Sequence, residues 1–131
     1  MITVLFRTES HYPVNRTKVK DAVVQALTNK VFRSTEVSIS IVGDRQMKKL
    51  NTQYRSIAKT TDVLSFPTHD PTQPIGIPFI ESPDDVLRLG DIVISYPQAR
   101  AMAITENKLI DDVIVFLALH GLDHLMGKHH E

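Results

Sequence analysis

Seven consecutive apolar residues, Val113 to Leu119, run without a break into His120-Gly121-Leu122-Asp123-His124. Asp111 and Asp112, just before the run, suit the positive end of a helix, so a helix is expected to start near Leu109. A helix with no polar face for two turns must be covered on nearly all sides. The rest of the chain has to supply that cover. With 131 residues and 42% hydrophobic content there is enough for one core, and a single domain over residues 1–131 is expected.

The covering elements are legible in order. Ile2 to Phe6 is short and apolar-rich, a first strand. Asn15 can cap a helix running to about Phe32, in which Val19, Ala22, Val23, Ala26 and Leu27 recur at helical spacing. Val37, Ile39 and Ile41 alternate with Ser38 and Ser40, the period of a half-buried strand. Gly43 and Asp44 are expected to turn the chain and cap a second helix. Its stripe is Met47, Leu50 and Tyr54, and its other faces carry Arg45, Lys48, Lys49 and Arg55. Val63 to Phe66, stopped by Pro67, and Leu89 to Ser95 are two further strands. Residues 67–88 between them hold five of the seven prolines and predict an irregular connection. Pro97 suits the first turn of a helix through about Thr105. The expected fold is α+β, an α/β sandwich: a small mixed sheet of about four strands packed with about four helices, with right-handed crossovers where strands are parallel.

Composition narrows the chemistry. With no Cys, a metal must be held by His, Asp or Glu, and no thiol can act as nucleophile. No basic leader opens the chain and no stretch reaches the roughly 18 apolar residues of a membrane span, so it reads as soluble and cytoplasmic with no membrane partner. The net charge is zero, yet residues 1–60 carry 11 Lys+Arg against 4 Asp+Glu, and residues 61–131 carry 4 against 11. That asymmetry suggests a local basic face for phosphates, unless folding mixes the halves into an ordinary surface.

The histidines carry the strongest chemical signal. Residues four apart share one helical face, so His120 and His124 can grip one ion. A third ligand has to return from beyond the helix. Gly127 readily takes the left-handed backbone that ends a helix, and could bring His130 over the same ion. Three imidazoles leave a coordination position open, as in catalytic zinc sites, although the same set also suits nickel, cobalt or copper. The spacing His-x3-His-x2-Gly-x2-His is that of the metzincin proteases, but Gly121 stands where those place their general-base Glu. A peptidase is therefore disfavoured. Asp123 could orient an imidazole, act as a base, or simply sit at the rim. His11 and His69 read as loop residues.

Three stretches together resemble the YbeY family. His120 to His130 is similar to its HGxLHLxGYDH signature, Asn51 to Pro67 (NTQYRSIAKTTDVLSFP) to its NxxYRxxxxxTDVLSFP, and Gly90 to Ser95 (GDIVIS) to a third block in the same order. The resemblance departs at Asp123, where the family has Leu, and at Lys128-His129, where it has Tyr-Asp. It implies a metal-dependent single-strand-specific endoribonuclease acting on ribosomal RNA in maturation and ribosome quality control, with the ribosome or its proteins as partners. It further implies His120, His124 and His130 as ligands of one ion, Zn2+ in the first instance and Ni2+ or another divalent transition metal otherwise, and Arg55 at the position of a functionally required arginine. A guanidinium offers planar, permanently charged donors to the oxygens of a reacting phosphate. Two other functions remain open: a non-enzymatic ribosome-associated factor with a structural metal, and a metal hydrolase of a smaller substrate. Thr61, Asp62 and Ser65 are explained as well by turn formation and strand packing as by substrate contact.

Overall fold

Strand pairing turns the alternation at Val37 to Ile41 into the middle of the molecule. In the computed structural model, which describes residues 1–9, 12–68 and 86–127, the elements follow the expected order. They are β1 (Ile2–Thr8), α1 (Arg16–Leu27), β2 (Thr35–Val42), α2 (Asp44–Arg55), β3 (Val63–Pro67), β4 (Leu87–Ser95), α3 (Tyr96–Glu106) and α4 (Ile110–Leu125). The strands form one sheet in the order β1-β2-β4-β3. β1 and β4 run parallel to β2, and β3 runs antiparallel to β4. The expected mixed four-stranded sheet with four helices is what forms.

One face of the sheet is the main core. Val37, Ile39 and Ile41 of β2 and Ile92 and Ile94 of β4 pack there with Val19, Val23 and Leu27 of α1 and Ile114, Leu117, Ala118 and Leu122 of α4. The opposite parity supplies a smaller second core, in which Met47 of α2 packs on Val42, Leu64 and Val93. Both faces are therefore covered at β4, which explains why Ile92, Val93 and Ile94 are apolar without alternation.

The helix ends follow local chemistry with two corrections. Asn15 caps α1, its side chain accepting from Lys18 N–H at 3.1 Å. The helix stops at Leu27 rather than near Phe32. Lys30 and Val31 both donate to the Leu27 carbonyl, and this turn returns the chain to Thr35, which must lie opposite Ile2 in the sheet. Thr28 and Asn29 are weak helix formers, and Phe32 is left 98% exposed. The second correction concerns Asp44. Gly43 is the N-cap of α2 without a side-chain bond, and Asp44 is the first helical residue. Its carboxylate instead reaches across to another layer, accepting from Ser95 Oγ at 2.8 Å, Thr60 Oγ1 at 2.9 Å and Gln98 Nε2 at 3.1 Å. Ser95 is fully buried and also caps α3, accepting from Gln98 N–H.

Asp44 thus ties α2, the segment before β3 and the start of α3 into one polar joint. Burial pushes its pKa up, and the bonds from Ser95, Gln98 and Thr60 outweigh burial, holding it below its ordinary value of 3.8. A depressed carboxylate stabilises the fold above the unfolded-state pKa, and that stability is lost as pH falls through the folded-state value. Asp44→Ala is expected to cost about 1–3 kcal/mol near neutral pH, because the buried Ser95 hydroxyl loses its acceptor. Urea melts of both proteins across acid pH check this. The wild type's advantage should be full above about pH 4 and shrink below it, and a gap unchanged down to pH 2 would contradict the assignment.

α4 lies on β3 and β4, flanked by α1 and α3. Val113, Ile114, Leu117, Ala118, Gly121, Leu122 and Leu125 are buried as the apolar run requires. The expectation of cover on nearly all sides fails at Phe116, which is 60% exposed. Phe116 shares a four-residue repeat with Asp112, His120 and His124. The neighbouring layers reach the other sides of the helix and leave this stripe open. No helix among the described residues is long and apolar enough to cross a membrane.

Candidate active site

The open stripe of α4 presents the two described candidate ligands. His120 is half-buried and His124 exposed. Their Nε2 atoms converge to 3.3 Å, with ring centroids 4.8 Å apart. Two nitrogens each about 2.0–2.1 Å from a tetrahedral ion lie about 3.3–3.4 Å apart, so the pair matches one edge of such a coordination shell. The negative end of the helix dipole at the last turn also favours a cation there. α4 then ends as its sequence predicts: Met126 N–H donates to the Leu122 carbonyl, Gly127 N–H to that of His124, and Gly127 takes φ +81°. His130, His129, Lys128, His11 and His69 lie outside the described residues. Among the described residues, no group of three or more His, Asp or Glu side chains is placed to hold an ion.

Gly121 has a structural reason that also disposes of the peptidase comparison. A Cβ at this position would sit 2.8 Å from Cγ2 of Ile92, a fully buried β-branched residue of β4. Position 121 faces the sheet, about 100° around the helix from His120. Gly121 borders the cleft, but a side chain there would first have to displace Ile92, so the close approach of helix to sheet that seats the histidines leaves no room for a glutamate without a shift in the core.

Arg55 arrives from the opposite layer. It is the last residue of α2, and Ser56, in the left-handed conformation at φ 57°, ends the helix and turns the chain. The loop that follows is pinned by buried Asn51, whose Nδ2 donates to the Lys59 carbonyl at 2.9 Å. It leads into Asp62, whose Oδ1 accepts from Val63 N–H at 2.8 Å at the start of β3. Through this path Arg55, Thr61, Asp62 and Ser65 come to line one cleft of about 410 Å³ with His120 and His124. The turn explanation for Asp62 is correct, and it is also incomplete, because the same turn sets its carboxylate in the wall of the cleft. Sequence reasoning weighed only Asp123 as the carboxylate near the histidines. Asp123 is half-buried on α4 and does not line this cleft.

The charge asymmetry is partly mixed by folding and partly kept. Lys18 pairs with Asp112 and Arg88 with Glu36, each joining the two halves. Among the described residues the α2 cations Arg45, Lys48, Lys49 and Arg55 make no ion pair. Arg45, Lys48 and Lys59 surround a second concavity beside Thr60.

Comparison with known proteins identifies the family. Residues 6–131 match the family described as Endoribonuclease YbeY. Curated relatives named Endoribonuclease YbeY include one from Dehalococcoides mccartyi, 38% identical over 104 residues covering 75% of this chain and 64% of the relative. Another from Roseiflexus castenholzii is 38% identical over 119 residues, covering 90% of this chain and 72% of the relative. A third, from Clostridioides difficile, is 32% identical over 115 residues, covering 87% and 71%. The chain spans 59% to 64% of the length of the three Dehalococcoides relatives it matches. Among solved structures, the solution structure of a Thermotoga maritima protein superposes with a TM-score of 0.60 over 98% of this chain and 75% of that one, at 20% identity, and so shares the fold. By the match over residues 6–131, and by relatives more than 30% identical across most of its length, the chain belongs to the YbeY family.

Proposed function

We propose that this chain is a metal-dependent endoribonuclease that cleaves single-stranded RNA. It holds one divalent ion, zinc or another transition metal such as nickel, through His120, His124 and His130. The observation that supports this most is the convergence of His120 and His124 Nε2 to 3.3 Å on the wall of the same cleft that Arg55 enters from the other layer. A bound ion would supply Lewis acidity and lower the pKa of water from about 16 toward 7. The chain's own residues do the rest. His120 and His124 are held at one spacing by the helix, so little reorganisation is needed to bind the ion. The Arg55 guanidinium donates paired hydrogen bonds to the phosphate oxygens on which charge develops. Arg45, Lys48, Lys49 and Lys59, which make no ion pair among the described residues, draw the RNA backbone toward this side of α2. In the cell the substrate would be ribosomal RNA during maturation and ribosome quality control, in the cytoplasm, with the ribosome as partner.

The deciding experiment compares metal-replete and chelated protein on a single-stranded RNA oligonucleotide, with His124→Ala reporting any contaminating nuclease. Cleavage only by the metal-replete wild type is the expected result. Intact RNA alongside hydrolysis of small esters or peptides would move the assignment to a smaller substrate, and intact RNA with no turnover of any kind would make the metal structural.

A further inference from the structure

Phe116 is the one aromatic residue on the stripe that carries His120 and His124, and it stands one helical turn before His120. A 60% exposed phenylalanine within the helix's apolar run gains nothing for the core. Its ring lies nearly parallel to the His120 imidazole, at 18° and 6.3 Å between centroids. The ring also walls a recess of about 630 Å³ at the α3–α4 junction, with Met102, Leu109 and Val113 as its other apolar surfaces and Asn107 among the polar groups at its rim. The charges around it cancel in pairs. Glu106 is bridged by Lys108 at 3.6 Å and Asp112 by Lys18.

An apolar recess with a neutral rim does not suit a phosphate. Its flat aromatic wall and polar edge do suit a planar, uncharged heterocycle, since every base has a π-face that stacks on an aromatic ring. Resting on the RNA-cleavage reading above, we infer that Phe116 stacks an unpaired nucleobase of the substrate, with the α3–α4 recess receiving that base one step away from the phosphate at His120 and Arg55. A paired base cannot present its face to such a wall, so the contact also selects for single strands.

The test uses the metal-loaded full chain and single-stranded RNA oligonucleotides. Phe116→Ala and Phe116→Leu are both expected to raise KM about tenfold, the order for one lost base stack, with kcat and bound metal unchanged. Phe116→Trp should restore KM. An oligonucleotide with one abasic nucleotide should lose the same factor on the wild type and nothing further on Phe116→Ala, at one position only. Wild-type KM in Phe116→Leu would reduce the ring to apolar packing and overturn the inference. So would a fall in kcat together with lost metal, which would mean that Phe116 acts by positioning His120. A tight protein partner lost in Phe116→Ala while RNA kinetics stay unchanged would overturn it in favour of a protein interface. In each of these cases the wild type still cleaves RNA and the nuclease reading stands, whereas a wild type that cleaves no RNA removes both.

Discussion

Replacing His124 with alanine is expected to remove stoichiometric metal and all RNA cleavage together while leaving the fold intact. His124 is exposed at the end of α4, so truncation opens no cavity in the core. It does remove one of two nitrogens held 3.3 Å apart, and the remaining imidazole cannot define a coordination edge alone. Metal content measured after gel filtration, beside a thermal melt, separates loss of the ion from loss of the fold. The same measurement resolves the terminal pair of histidines. Gly127 takes φ +81°, and in the sequence His130 follows it after two intervening residues, the ligand spacing of the family signature. His130→Ala should therefore behave like His124→Ala, whereas His129→Ala should keep metal and cleavage to within about tenfold, the smaller end of effects from residues that only orient a ligand. Metal kept by His130→Ala and lost by His129→Ala would show that the final ligand is one residue earlier.

Arg55→Ala is expected to lower RNA cleavage by about 100-fold, the order seen when one donor to a developing anionic oxygen is removed. Metal content and stability should be unchanged. Arg55 is exposed, makes no ion pair among the described residues, and ends its helix without contributing to the core. Arg55→Lys keeps the charge but not the planar fork, and should recover only part of the loss. Because the effect falls on the reacting phosphate, kcat should carry most of it, with KM rising by the smaller amount due to one backbone contact. Turnover equal to wild type in Arg55→Ala would leave the arginine a surface cation and assign the phosphate to the ion alone.

Several features of this protein follow from short-range physics and are readable in the chain. The pairing of His120 with His124 needs only the pitch of an α-helix. The N-cap at Asn15 needs a short side-chain acceptor three residues before Lys18 N–H, and the helix end at Gly127 needs a residue free to take positive φ. The order of elements needs only periodicity, and the blocks at Asn51–Pro67 and His120–His130 carry the resemblance to the family.

Other features depend on which residues meet across the sheet, and no local pattern encodes that. Asp44 looks like a cap because it opens a helix, yet its partners Thr60, Ser95 and Gln98 lie 16, 51 and 54 residues away and become neighbours only when β4 pairs with β2. Gly121 looks like a missing base, yet the reason for it is Ile92, which lies on another element. Phe116 looks like one more core residue in an apolar run, and only the arrangement of α1, α3, β3 and β4 around α4 leaves it facing outward. Arg55 and His120 are 65 positions apart in the chain and on opposite layers. The edge strand β3 and the loop before it join them, because β3 is antiparallel to β4 and so brings the end of α2 alongside the histidine stripe. Sequence determined which groups this protein carries and how each is locally held. Tertiary packing decided which of them share a cleft, because that depends on long-range burial of apolar faces and on strand pairing, whose energy is realised only when distant segments meet.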